Sequence, residues 1–269
     1  MVSLEQHPAT FTDLLALPLD ALTEDGDGWI AVHCPTLRGY WGGNFLFLDP
    51  PPRVDQLEET IATWRSQFHG ITGIQKKTLV WEVPAISEHD TEAWTTAAAH
   101  AGLEFDVDDV LRVDAHGGLM PKRSAPPFVA RPVVSETDWS VSTELLVIEL
   151  GGPTGTEDYV RKRQAHHRSR MEAGHGTWWT MWDGSEAVGT LGLISGPGYA
   201  RFQQVVTRSD CRGRGVCSHL MAAAAGAAPA DSVRNTLICV EPESGASSVY
   251  RGLGFEPIGV QIALMGDPV

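Results

Sequence analysis

The chain has 269 residues, 42% of them hydrophobic and 20% charged. That is enough to bury one large or two small cores without disulfides or metals, and it excludes a disordered tail. The net charge of −14 rests on 20 basic and 34 acidic residues, which argues against a nucleic-acid backbone as the main partner. The acidity is uneven: residues 1–125 carry 8 basic and 19 acidic residues (−11), and residues 126–269 carry 12 and 15 (−3).

The longest small-apolar run, Leu220 to Ala230, is far short of the roughly 18 residues a membrane span needs. The start MVSLEQHPATF lacks a basic segment followed by an apolar core, so a cytoplasmic protein without a membrane partner is expected. Cys34, Cys211, Cys217 and Cys239 form no CxxC pair and no zinc spacing, so reduced thiols and no metal are expected.

In chain order, Gly28 to Val32 and Asn44 to Leu48 read as short strands, the second after the turn signal Gly42-Gly43. Pro50-Pro51-Pro52 ends the extended stretch. Val54 to Phe68 follows as an amphipathic helix, with Leu57, Ile61, Trp64 and Phe68 on one face. Thr78 to Val83 is a strand, Glu88 to Ala101 a helix, and Val110 to Val113 a last strand. Met120 to Pro132 holds four prolines in thirteen residues and reads as a linker, giving domains 1–125 and 126–269.

The second half opens with a strand from Phe128 to Val134. Helices follow over Thr137 to Glu149 and Glu157 to Ala173, separated by the loop GGPTGT. Strands are expected over Thr177 to Trp182, Ala187 to Ile194 and Tyr199 to Thr207, then a helix from Gly215 to Ala228. A strand over Thr236 to Val240, a short helix over Ala246 to Gly252 and a strand over Pro257 to Met265 close the chain. Elements of both kinds alternate, so the fold class is a layered mixed α/β (α+β) protein.

The stretch Arg201 to Met221 carries the chemistry. A strand runs into Arg212-Gly213-Arg214-Gly215 and a helix begins at once. Two glycines let the backbone turn tightly and approach a ligand. The first helical turn leaves N–H groups unpaired at the positive end of the macrodipole, so strand, loop and helix start make an anion site suited to a pyrophosphate. Arg212 and Arg214 would add charge-assisted contacts. A P-loop is excluded because the chain has no Gly-Lys. A dinucleotide fingerprint would need a third glycine where Ser218 stands, and an opening βαβ unit.

Together with Leu237 to Gly259, which reads as strand, loop, a helix carrying Val249-Tyr250, and Gly254-Phe255, this stretch resembles the GNAT superfamily of acyl-CoA-dependent N-acetyltransferases. Arg212, Gly213, Arg214, Gly215, Val216 and Cys217 match its loop signature, with Cys217 in place of the final glycine or alanine. The resemblance implies the GNAT fold, a mixed central sheet flanked by helices. It also implies acetyl-CoA as co-substrate and a primary amine of a small molecule as acceptor, with direct attack on the thioester. Val205, Val206 and Thr207 would pair with the pantetheine arm, and N–H groups of Gly213 to Ser218 would cradle the pyrophosphate. Tyr250 would protonate the leaving thiolate.

Other features depart from the family. Ser209 stands where proline is usual and Glu243 where asparagine is usual. Gln203 and Gln204 occupy the strand where many relatives place a basic glutamate. Glu241 is then the first candidate base. His166, His167 and His175 fall in the region that shapes the acceptor site in relatives, and water is a further proton relay. The basic helix Tyr159 to Arg170 reads as a solvated face or as a contact for CoA phosphates or an acidic acceptor.

The first half ends with a weak echo of the second half's closing pattern, Ala101-Gly102-Leu103-Glu104-Phe105, which implies two GNAT-like domains in tandem. Its counterpart of the cofactor loop, Trp41 to Phe45 before three prolines, has no arginine-glycine anion site, so this half reads as degenerate. Acetylation of a peptide, transfer of a longer acyl chain, a non-catalytic CoA-binding scaffold, and a homodimer all stay open.

Overall fold

The computed structural model describes residues 6–151, 156–229 and 233–268. The chain forms two compact units, one running to Val110 and resumed from Pro257, the other spanning Leu111–Glu256. The proline-rich segment thus lies inside the second unit, and the last strand returns to the first.

The first unit contains α1 (Pro8–Ala16), β1 (Leu22–Asp25), β2 (Trp29–His33), β3 (Phe45–Leu48), α2 (Leu57–Gln67), β4 (Lys77–Val83) and α3 (Glu88–His100). It also takes β5 (Leu103–Val113) up to Val110, and β11 (Glu256–Gly266) from Pro257. Its strand order is β1-β2-β3-β4-β11-β5. β3 and β4 are parallel, while β11 runs antiparallel to β4 from Val260 opposite Val83 to Gly266 opposite Lys77.

The apolar stripe of α2, Leu57, Ile61 and Trp64, packs on Leu46, Leu79 and Trp81 with Trp94 of α3. The other sheet face packs Phe45, Phe47 and Val80 against Leu17. α1 has no side-chain cap of its own. Instead the Glu82 carboxylate accepts from the Thr10 and Ala9 N–H groups at 2.6 and 3.3 Å, satisfying donors the helix start leaves open.

The turn read as the counterpart of a cofactor loop has another use. Asn44 is 1% exposed; its Oδ1 accepts from Cys34 N, and its Nδ2 donates to the carbonyls of Leu37, Arg38 and Tyr40. A Cβ on Gly43 would stand 2.6 Å from the Tyr40 ring, so that glycine makes room for an aromatic side chain.

The second unit contains β6 (Val129–Pro132), α4 (Glu136–Glu149), α5 (Thr156–Glu172), β7 (Gly176–Asp183), β8 (Glu186–Gly196), β9 (Tyr199–Thr207), α6 (Val216–Ala227), β10 (Thr236–Val240) and α7 (Gly245–Gly252). Residues 152–155 of the expected GGPTGT loop lie outside the described residues. The strand order is β10-β9-β8-β7-β6, with the end of β5 beside β10. β9 and β10 are parallel and the remaining pairs from β9 to β6 antiparallel.

Strand alternation sends Trp179, Met181, Leu191, Leu193 and Phe202 to the face covered by α6 and α7. Trp178 points to the opposite face and packs with Trp139 and Leu146 of α4 and Val160 of α5. Gly192 gives that indole its space: a Cβ there would stand 2.4 Å from the ring. The buried indole N–H is satisfied by Thr190 Oγ1 at 2.9 Å. α4 begins with a capping box in which Ser135 Oγ accepts from Asp138 N while the Asp138 carboxylate returns to Ser135 N. Among the described residues no helix is long and apolar enough to cross a membrane.

Candidate active site

β9 is irregular where it matters. Its pairing with β8 shifts between Thr190, opposite Val206, and Gly192, opposite Gln203, so Leu191 faces both Gln204 and Val205. Gln204 takes φ +47°, which a non-glycine residue holds only at a cost of about 1–3 kcal/mol. Such a bulge bends the strand. On its other edge β9 pairs with β10 only through Ala200 and Arg201. Beyond them the pairing ends, and Val205, Val206 and Thr207 line a cleft of about 840 Å³. That volume falls in the range of small-molecule sites, about 300–1,000 Å³.

The glycine loop forms one rim. After a 3-10 turn at Ser209–Cys211 the chain passes Gly213 at φ +73° and Gly215 at φ +83°. Gly215 is the N-cap of α6, and no side chain caps it. The helix therefore presents its first-turn N–H groups and the positive end of its dipole to a ligand. Gly213, Gly215, Val216, Cys217 and Ser218 all line the cleft.

α7 also contributes to the lining; its Ser244 N-cap accepts from Ser247 N at 3.1 Å. Gly245, Ser248 and Tyr250 line the cleft. Tyr250 is 5% exposed and packs beside Phe255 with ring centroids 6.1 Å apart. Burial, with a smaller contribution from Cys217, pushes its phenol above the usual tyrosine range. Burial also pushes the Cys217 thiol up to about 12. Both groups therefore keep their protons at neutral pH, and the phenol can act as a donor.

The two loop arginines are already engaged. Arg212 donates to Glu149 Oε2 at 2.7 Å and to the Thr207 carbonyl at 3.2 Å. The side chain of Glu149, at the end of α4, is only 6% exposed and also accepts from Ser209 N at 2.8 Å. Arg214 is absent from the cleft lining; its guanidinium lies 5.0 Å from the centre of the Phe128 ring. Glu241 is exposed beyond the end of β10 and does not line the cleft. Glu243 is exposed on the same turn, at φ +58°.

Three charged cleft residues were not singled out in the sequence: Glu149, Lys122 and Arg123. Arg123 donates from Nη1 to the Gly213 carbonyl, and its own carbonyl bonds His219 Nε2 at 2.9 Å. A Cβ on Gly215 would stand 3.3 Å from the Ser124 carbonyl oxygen. The segment read as a linker is thus packed on the glycine loop.

The basic helix α5 is mostly a solvated face. Arg161 pairs with Glu144 and Glu157, Lys162 with Asp158, and Arg168 with Glu136 and Glu172. Its inner side buries Gln164 and His167. Burial pulls His167 well below the usual histidine range, and Arg163, Arg170 and His166 reinforce the shift.

A splayed strand pair, a glycine turn feeding an uncapped helix, and a buried tyrosine thus line one cleft. Residues 143–255 match the acetyltransferase (GNAT) family, and the chain is an acyltransferase carrying a domain of that family.

The fold extends the likeness over the whole chain. It is similar to a conserved protein of unknown function from Staphylococcus epidermidis, with a TM-score of 0.73, 14% identity, and 100% of this chain and 98% of that one covered. It is also similar to a GCN5-related N-acetyltransferase from Kribbella flavida, with a TM-score of 0.63, 16% identity, and 100% and 96% covered. A tandem GNAT protein from the clavulanic acid biosynthesis pathway matches with a TM-score of 0.54, 14% identity, and 96% and 87% covered. The chain has this tandem GNAT fold. No curated protein matches it in sequence.

Proposed function

We propose that the protein moves an acetyl group from acetyl-CoA to a primary amine of a small molecule. The observation that carries this reading is the parting of β9 from β10 beside an uncapped helix start. The opened edge at Val205 to Thr207 can pair with an amide-bearing arm as an added strand would. The first turn of α6 suits a pyrophosphate. Acetyl-CoA supplies the acyl group as a thioester.

The residues of this chain do the rest. Backbone N–H on β9 polarises the carbonyl under attack, and the cleft holds the two reactants in line. Tyr250 gives its proton to the departing sulfur, which restores a thiol as the amide bond forms. Cleft residues Gly213, Gly215, Val216, Cys217 and Ser218 hold the phosphates through the backbone, and Arg212 braces the loop through Glu149. Glu241 stands outside the cleft lining, so the amine proton leaves to water. The first unit, whose Asn44 turn offers no arginine-glycine loop, binds no cofactor.

Calorimetric titration of acetyl-CoA into the full chain tests this. One site per chain is expected, together with CoA release when an amino acid, an aminoglycoside or a polyamine is added. Two sites would overturn the assignment of the first unit. Binding without CoA release for these amines, or release only with a lysine peptide, would replace the small-molecule reading with a scaffold or a peptide acetyltransferase. Absence of binding would overturn the acetyl-CoA reading itself.

A further inference from the structure

The loop arginines that match the family pattern already have partners. Glu149 is nearly buried beside Arg212 and balances it at 2.7 Å. Arg214 is turned onto Phe128 and is absent from the cleft lining. The other cationic side chains of the lining are Lys122 and Arg123, contributed by the proline-rich segment about 90 positions earlier in the chain. That segment is fastened to the loop at Gly213, at His219 and against Gly215. Lys122 is exposed and, among the described residues, has no ion-pair partner.

From this placement we infer that Lys122, steadied by its neighbour Arg123, is the binding residue for the 3′-phosphate of coenzyme A. The inference rests on the acetyl-CoA reading above. The pyrophosphate is a diester-like group that backbone N–H donors at the α6 start can satisfy. The 3′-phosphate is a monoester carrying roughly −1.5 to −2 charges at pH 7, so it draws most on a mobile ammonium. Arg123 is anchored through Nη1 to the Gly213 carbonyl, which fixes the chain direction at Lys122. Proline at 121 restricts the backbone just before it. A segment that composition marks as a spacer thereby becomes part of the cofactor site.

The test is calorimetric titration of the full chain with coenzyme A and, separately, with 3′-dephospho-coenzyme A. The wild type is expected to prefer coenzyme A by about tenfold, close to 1.4 kcal/mol. Lys122→Ala is expected to weaken coenzyme A by that factor and leave the dephospho form unchanged, so the preference disappears. Lys122→Arg is expected to restore most of it. Lys122 is exposed, so these variants keep the fold, and an unchanged Tm checks that.

Equal weakening for both ligands would place the ammonium on the pyrophosphate and overturn the assignment. Unchanged affinity for coenzyme A would overturn it as well. A wild type that binds neither ligand would instead overturn the acetyl-CoA reading, a different and separable result.

Discussion

Replacing Gly215 with alanine perturbs the fold and the cofactor site at one atom. At φ +83° an L-residue pays about 1–2 kcal/mol for the left-handed conformation. The added methyl would also meet the Ser124 carbonyl oxygen at 3.3 Å, His219 Cδ2 at 3.4 Å and Arg123 Cβ at 3.5 Å, so the segment over the loop must yield slightly. Together these amount to about 2 kcal/mol, or roughly 4–8 °C in Tm for a protein of this size.

Gly213 supplies the control. Its φ is +73°, but a Cβ there meets nothing within 4 Å. Gly213→Ala should therefore lose only the conformational part, about half as much. Differential scanning calorimetry reads the stability and acetyl-CoA titration reads the site. Gly215→Ala should raise the acetyl-CoA Kd at least tenfold because the first-turn N–H groups are re-aimed. Wild-type Tm and Kd in Gly215→Ala, or equal losses in the two variants, would refute the reasoning.

Tyr250→Phe keeps the packing on Phe255 and should lower kcat by about a hundredfold, with acetyl-CoA affinity within threefold of wild type; full activity would remove the proton-donor role. Because burial raises the phenol, the wild-type rate should climb with pH through the amine's titration and then stay level through the ordinary tyrosine range instead of falling there, which a stopped-flow pH profile would show. Asp138 is held ionised by Arg131 at 2.7 Å and by backbone N–H groups, so its folded pKa lies well below the unfolded value. Its contribution is complete above about pH 4 and is lost as pH falls toward the folded value. Asp138→Asn should cost roughly 1–3 kcal/mol in urea melts at pH 7 and flatten the acid limb.

Much of the fold is written locally in the chain. β9 and β10 span the residues that read as strands, and α6 starts directly after Gly215. Other elements leave no such mark. β1 is exposed along its whole length and lacks alternation, so Leu22 to Asp25 does not read as a strand. β5 starts at Leu103, but Glu104, Asp106, Asp108 and Asp109 obscure it, and only Val110 to Val113 is legible. α1 is marked by Pro8 but is capped from β4, about 70 positions away.

The cleft divides in the same way. Its glycines, the β9 edge and Tyr250 are encoded by short motifs. Glu149, Lys122 and Arg123 meet the loop from 60 to 90 positions away, and nothing in their own neighbourhoods announces it. Arg212 was legible as a residue type, but not its partner.

The return of β11 to the first unit bears on how the chain is made. β4 is synthesised early, yet its antiparallel neighbour from Val260 to Gly266 leaves the ribosome about 180 residues later. Until then β4 shows an apolar, strand-forming edge, Leu79-Val80-Trp81, without its final partner. The first unit is therefore first in sequence but last to close, and a chain severed in the Met120 to Pro132 segment would yield a leading fragment with an open sheet. Such a fragment should be prone to pairing with other chains, so the order of translation places the aggregation risk in the nascent first unit.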